Sequence, residues 1–235
     1  MLKNKLAIYI SLLVMLEMFM QACTSTAEDK SLPLYPDFTD QNPNLVDTSW
    51  LTNKPCGAPC WHGLQSGKSS MTDAVATVKE LSFVDPDSMM SSEVKLPEKV
   101  TQVVGFKCKS QPKLTCVGMS FNENILENLS ISPNYRITFE QAVEKLGAPD
   151  GYVYSPLGAE IKGCSIFLIW VKRQMTLNFT EKTHISGEDL CERLSKENWK
   201  VPKGILIDII SYVQPKQIYD LKSNDTYKIW TGFEE

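Results

Sequence analysis

The sequence predicts an α+β protein of two tandem units, each a helix packed on an antiparallel β-sheet, stapled by disulfides. Three observations predict it. Capped amphipathic helix starts recur at Ser70 and Thr138, 68 residues apart. Strand-like runs follow each of them. The chain has seven cysteines, and six remain to pair once Cys23 is set aside.

The first stretch, residues 1–22, has the plan of an export signal. Lys3 and Lys5 precede an apolar run from Leu6 to Met20, and Ala22-Cys23 closes it. Glu17 interrupts the run, which is also short for a spanning helix. Met20-Gln21-Ala22-Cys23 resembles a bacterial lipobox, with Gln21 off the usual pattern. That resemblance implies cleavage before Cys23 and acylation of its thiol and amino group. The membrane would then hold the protein through its lipid, at about 0.8 kcal/mol per buried methylene. The alternatives are ordinary secretion, with cleavage near Ser25-Thr26-Ala27, or an uncleaved anchor.

Residues 23–48 carry Pro33, Pro36 and Pro43 and no helix or strand period, so they read as a tether. Near its end, Leu45, Val46, Trp50 and Leu51 are expected to dock on the body. The first unit is set at 49–134 and the second at 135–235.

Pro55-Cys56-Gly57-Ala58-Pro59-Cys60-Trp61-His62-Gly63 opens the folded body. Its prolines and glycines dictate a tight, non-helical path. A structural disulfide is the first reading. A redox pair of the thioredoxin kind needs two residues between its cysteines, and three stand here. A haem site needs His directly after the second Cys, where Trp61 stands; zinc would lack a fourth ligand. Trp61 reads as a core anchor.

In the first unit, Ser70 caps a helix whose Ala74, Val75, Val78 and Leu81 share a face. Pro86 ends any continuation, and 85–98 reads as a loop. Strands are expected over 100–109, 114–121 and 125–131. Centring the first turn on Pro112 sets Cys108 opposite Cys116, Phe106 opposite Gly118 and Val103 opposite Phe121.

In the second unit, Thr138 and Gln141 form a capping pair. Phe139, Ala142, Val143 and Leu146 follow at helical spacing, and Gly147 and Pro149 stop the helix. Strands are expected over 151–154, 164–171, 175–180 and 205–213, with a short helix over 187–194 carrying Cys191. Tyr227-Lys228-Ile229-Trp230-Thr231-Gly232-Phe233 is expected to pair with a sheet edge and fill the core. Six cysteines allow fifteen pairings. The near-neighbour set, Cys56–Cys60, Cys108–Cys116 and Cys164–Cys191, agrees best with this local structure.

Gly67-Lys68-Ser69, with Ala142-Val143-Glu144-Lys145-Leu146-Gly147-Ala148-Pro149, resembles the Gly-x-Thr…Val…Leu-Gly-x-Pro pattern of SmpA/OmlA-like outer-membrane-assembly lipoproteins. The doubled helix-plus-sheet plan is similar to the beta-lactamase-inhibitor-protein fold. The cysteine-rich entry resembles that of a set of bacterial lipoproteins. These resemblances cover about a fifth of the chain. They imply a non-enzymatic envelope protein, and fold alone does not fix function.

The formal net charge is −4, which argues against a nucleic-acid partner. No phosphate loop, nucleophile elbow or metal-ligand cluster is present in the sequence, so no catalytic residue, metal or cofactor is expected. His62 and His184 read as surface or loop residues, and Glu188 and Asp189 as dipole-stabilising acids at a helix start. The sequons at Asn128, Asn178 and Asn224 read as chance matches. The leading expectation is a lipid-anchored module outside the cytoplasm that binds another protein. The alternatives are an envelope thiol-redox or hydrolytic enzyme and a small-ligand-binding lipoprotein.

Overall fold

A computed structural model describes residues 45–96, 99–156, 163–182, 190–196 and 200–234. The export signal, Cys23, most of the tether, His184, Glu188 and Asp189 lie outside the described residues. The chain is mixed α+β. Among the described residues it is dominated by one nine-stranded antiparallel sheet, and a separate two-stranded hairpin stands before it.

The described chain enters through a short helix, α1 (Ser49–Thr52), ended by Asn53 in the left-handed region. The hairpin is β1 (Cys60–Trp61) and β2 (Leu64–Gln65). Its two linking residues, His62 and Gly63, have φ of 48° and 87°. Two consecutive positive φ values give the turn whose twist matches paired strands. The Lys54–Pro55 and Ala58–Pro59 peptide bonds are cis.

Helix α2 (Met71–Lys79) begins where Ser70 accepts the Asp73 N–H, and it buries Ala74 and Val78. A 3-10 turn at Pro86–Ser88 leads to β3 (Met90–Leu96), β4 (Lys99–Lys107), β5 (Thr115–Asn122) and β6 (Ile125–Ile131). The expected loop over 85–98 is therefore corrected. Its second half is an edge strand in register with β4, from Met90 opposite Gly105 to Leu96 opposite Lys99. Ser91, Ser92 and Glu93 are exposed, so no apolar period marks the strand in the sequence; pairing alone makes it.

The hairpin register is corrected too. Val103 faces Ser120 and Phe106 faces Val117, one residue from the expected pairing. A shift between Phe106 and Lys107 then puts Lys107 opposite Thr115. Cys116 is the extra residue of that bulge. The bulge still leaves it close enough to bridge Cys108, with Cα atoms 5.1 Å apart.

Helix α3 (Phe139–Leu146) carries a complete capping box between Thr138 and Gln141, and it buries Phe139, Ala142 and Leu146. Gly147 follows at φ 82°. Strands β7 (Gly151–Pro156), β8 (Gly163–Trp170) and β9 (Met175–Lys182) form a second meander. Helix α4 (Leu190–Ser195) brings Cys191 to Cys164 of β8, Cα to Cα 5.3 Å. Residues 205–207 run beside the lead-in to α3, where the Phe139 N–H donates to Ile205 and the Ile207 N–H to Ile137. Strand β10 (Ile209–Val213) thus begins later than expected. Helix α5 (Pro215–Lys222), which no sequence signal singled out, starts with Pro in its first turn. Strand β11 (Tyr227–Ile229) pairs with β7.

The sheet order is β11-β7-β8-β9-β10-β6-β5-β4-β3. Both meanders run from an outer strand inward, and their last strands, β6 and β10, pair at the centre. The sheet is continuous across the expected boundary at 134/135.

Side chains alternate between sheet faces, so register assigns each face. Phe106, Val117, Ile131, Ile210, Leu177 and Leu168 form one row across the strands. They belong to the main core, together with residues of α1, α2, α3 and α4. On the other face, α5 packs Ile218 on Val153, Ile169 and Val213 as a separate small cluster.

Candidate functional site

The cysteine-rich entry and the end of the tether meet at one buried carboxylate, Asp47. Its Oδ1 accepts the Ser49 N–H at 2.9 Å, and its Oδ2 accepts Trp61 Nε1–H at 2.7 Å. His62 Nε2 lies 3.3 Å from Oδ1. The Asp47 carbonyl accepts the Tyr135 hydroxyl at 2.8 Å, and that hydroxyl oxygen accepts Trp50 Nε1–H at 2.8 Å. Burial, reinforced by the Asp47 charge, pushes the Tyr135 phenol well above its ordinary pKa. It keeps its proton and can donate. Trp61 is buried to 1% exposure, and Trp50, Leu51 and Val46 are buried beside it. The expected docking of Val46, Trp50 and Leu51 is therefore present, while Leu45 remains 39% exposed.

A cleft of about 260 Å³ lies beside this cluster, lined in part by Asp47, Ser49, Lys54, His62 and Phe83. The arrangement does not assemble a nucleophile. Both Asp47 oxygens already accept hydrogen bonds, His62 turns Nε2 toward Asp47, and the buried Ser49 hydroxyl has no hydrogen-bond partner. Its evident work is to lock the end of the tether to the body. Among the described residues, no three His, Cys, Asp or Glu side chains gather as metal ligands, and no helix is long and apolar enough to cross a membrane.

The structure joins Cys56 to Cys60, Cys108 to Cys116 and Cys164 to Cys191. Asp47 and Tyr135 escaped the sequence reading. Asp47 had a usable signal, because Asp-Thr-Ser ahead of an apolar residue is a turn in which the carboxylate accepts a backbone N–H two residues on. Tyr135 had none, since its partners stand 85 and 88 residues away.

The second candidate is the sheet face opposite the main core. Gly105, Gly118, Ser130, Ser211 and Thr176 form a row across five strands, with Ile169 and Gly151 beyond. Ser120, Asn128, Asn178, Ser165 and Thr180 share that face. The Ser130 and Ser211 hydroxyls lie 3.3 Å apart at the central strand pair, and those of Ser165 and Thr180 3.0 Å apart. At one end Lys99 Nζ donates to both Glu127 oxygens at 2.8 Å. Among the described residues, α5 is the helix that packs on this face. The sequons are part of the fold: Asn128 and Asn178 stand within β6 and β9, and Asn224 Oδ1 accepts the Thr226 N–H.

No family model, curated protein or solved structure matches this chain.

Proposed function

We propose that this is a lipid-anchored envelope protein, non-enzymatic, that binds another protein through the small-polar face of its sheet. The observation that carries the reading is the Gly-Gly-Ser-Ser-Thr row centred on Ser130 and Ser211. Short side chains on a rigid sheet form a level platform; within the row Gly105 and Ser211 are half-buried, and Gly118, Ser130 and Thr176 are buried, so a partner would meet the row at Gly105 and Ser211. They lose little rotamer freedom when covered. The anchor and address rest on residues 1–23 alone.

In this reading the sheet is two helix-plus-meander units joined at β6 and β10. Capped helices α2 and α3 open the units, and each meander runs inward, which supports the duplication. The kinship with SmpA/OmlA-like lipoproteins or the beta-lactamase-inhibitor-protein fold rests on the quoted motifs.

The test is site-specific photo-crosslinking in intact envelopes. A crosslinker at Ser211 or Val103 should yield discrete protein adducts, and one at exposed Thr72 of α2 should not. Equal adducts from both sides, or none from the sheet, would overturn the binding face. Loss of membrane association and of lipid labelling in Cys23→Ser tests the anchor separately.

A further inference from the structure

We infer that the Cys56–Cys60 bridge is a thiol–disulfide exchange centre that reacts with a protein dithiol. This inference adds a stoichiometric exchange reaction to the proposed binding role and does not rest on it.

The three bridges differ in access. Cys108, Cys116 and Cys164 are at most 1% exposed and Cys191 is 6% exposed, so attack on either of their bridges needs the fold to open. Cys56 and Cys60 are half-buried within a surface loop whose Lys54, Pro55 and Gly57 are exposed. Exchange also needs a leaving sulfur that carries negative charge well. The Gly63 N–H donates to Cys56 Sγ at 3.3 Å, and a donor in that position favours a thiolate. No described residue offers Cys60 Sγ an equivalent donor. Contacts other than the bridge also hold the loop. Trp61 donates to Asp47 Oδ2, and Cys60 pairs opposite Gln65 in the hairpin.

The step balances as follows. A thiolate of the partner dithiol attacks Cys60 Sγ and forms a mixed disulfide. The Cys56–Cys60 bond breaks, and its electron pair leaves on Cys56 Sγ beside the Gly63 amide. The partner's second thiol then loses its proton and attacks the partner's own bridged sulfur. Cys60 leaves with the electron pair and takes up that proton. The partner ends as a disulfide and this chain as the reduced pair; the reverse sequence reduces a partner disulfide and re-forms the Cys56–Cys60 bridge.

The full chain, kept native, is equilibrated with graded ratios of reduced to oxidised dithiothreitol. Free thiols are trapped with a maleimide and located by peptide mass. Cys56 and Cys60 should take label together while Cys108, Cys116, Cys164 and Cys191 stay bridged. Oxidised dithiothreitol should then re-form the pair. At pH 6, Cys56 in Cys60→Ser should alkylate at least about threefold faster than Cys60 in Cys56→Ser. Simultaneous labelling of all six cysteines, or equal or inverted alkylation rates, would overturn the inference.

Discussion

Two rows of residues, one position apart along the same strands, carry side chains of opposite size and chemistry. Phe106, Val117, Ile131, Ile210, Leu177 and Leu168 are buried beneath four helices. Gly105, Gly118, Ser130, Ser211 and Thr176 line the other face, where the side chains are short, a single described helix sits near one end, and Gly118, Ser130 and Thr176 are themselves buried. Backbone pairing serves both rows alike, so the strands themselves do not explain the difference. Side-chain size does. One row holds the helices down by removing apolar area from water, and the other keeps its surface level. A one-residue slip of any strand would exchange the two.

The sharpest way to break this contrast is Phe106→Ala. Phe106 is fully buried, so the truncation should cost about 3–5 kcal/mol, read as a lower denaturant midpoint. Gly151→Ala tests the small-residue row at its far end. A Cβ there would stand 2.5 Å from the Lys228 carbonyl oxygen and from the Tyr227 hydroxyl. Strand β11 should shift or detach, at about 1–3 kcal/mol, with faster amide exchange over 227–230 while the central strands stay protected. Ser130→Ala should be the mildest, at about 0.5–1.5 kcal/mol on the same unfolding curve for the lost hydrogen bond to Ser211. A large loss there would mean that the polar row is structural, and the contrast between the faces would collapse.

Much of the local plan was legible. Ser70 and Thr138 announced their helices because a cap is a short-range hydrogen bond between residues three apart. Ile125–Ile131 was bounded as observed, but a bulge between Leu126 and Asn128 breaks its alternation, burying Leu126 and leaving Ile125 39% exposed. Strand β3 was not, since its exposed residues leave no apolar trace and β4 supplies the reason for it to be extended. The β4–β5 register missed by one because a turn centre cannot announce a bulge at Cys116. The candidate faces were hidden more deeply. Which of two half-apolar sides is core depends on where helices land, and Tyr135 meets Trp50 across 85 residues.

The pairing of β6 with β10 sets a timetable for a chain that emerges from its amino end. Ser130 and Ser211 stand 81 residues apart. The first meander is complete long before its inner partner exists, and until then β6 presents a row of unsatisfied backbone groups, which invites association with other chains. A chaperone that shields nascent edges would matter most in that interval, and a stop codon placed between the two strands should leave a fragment prone to aggregate.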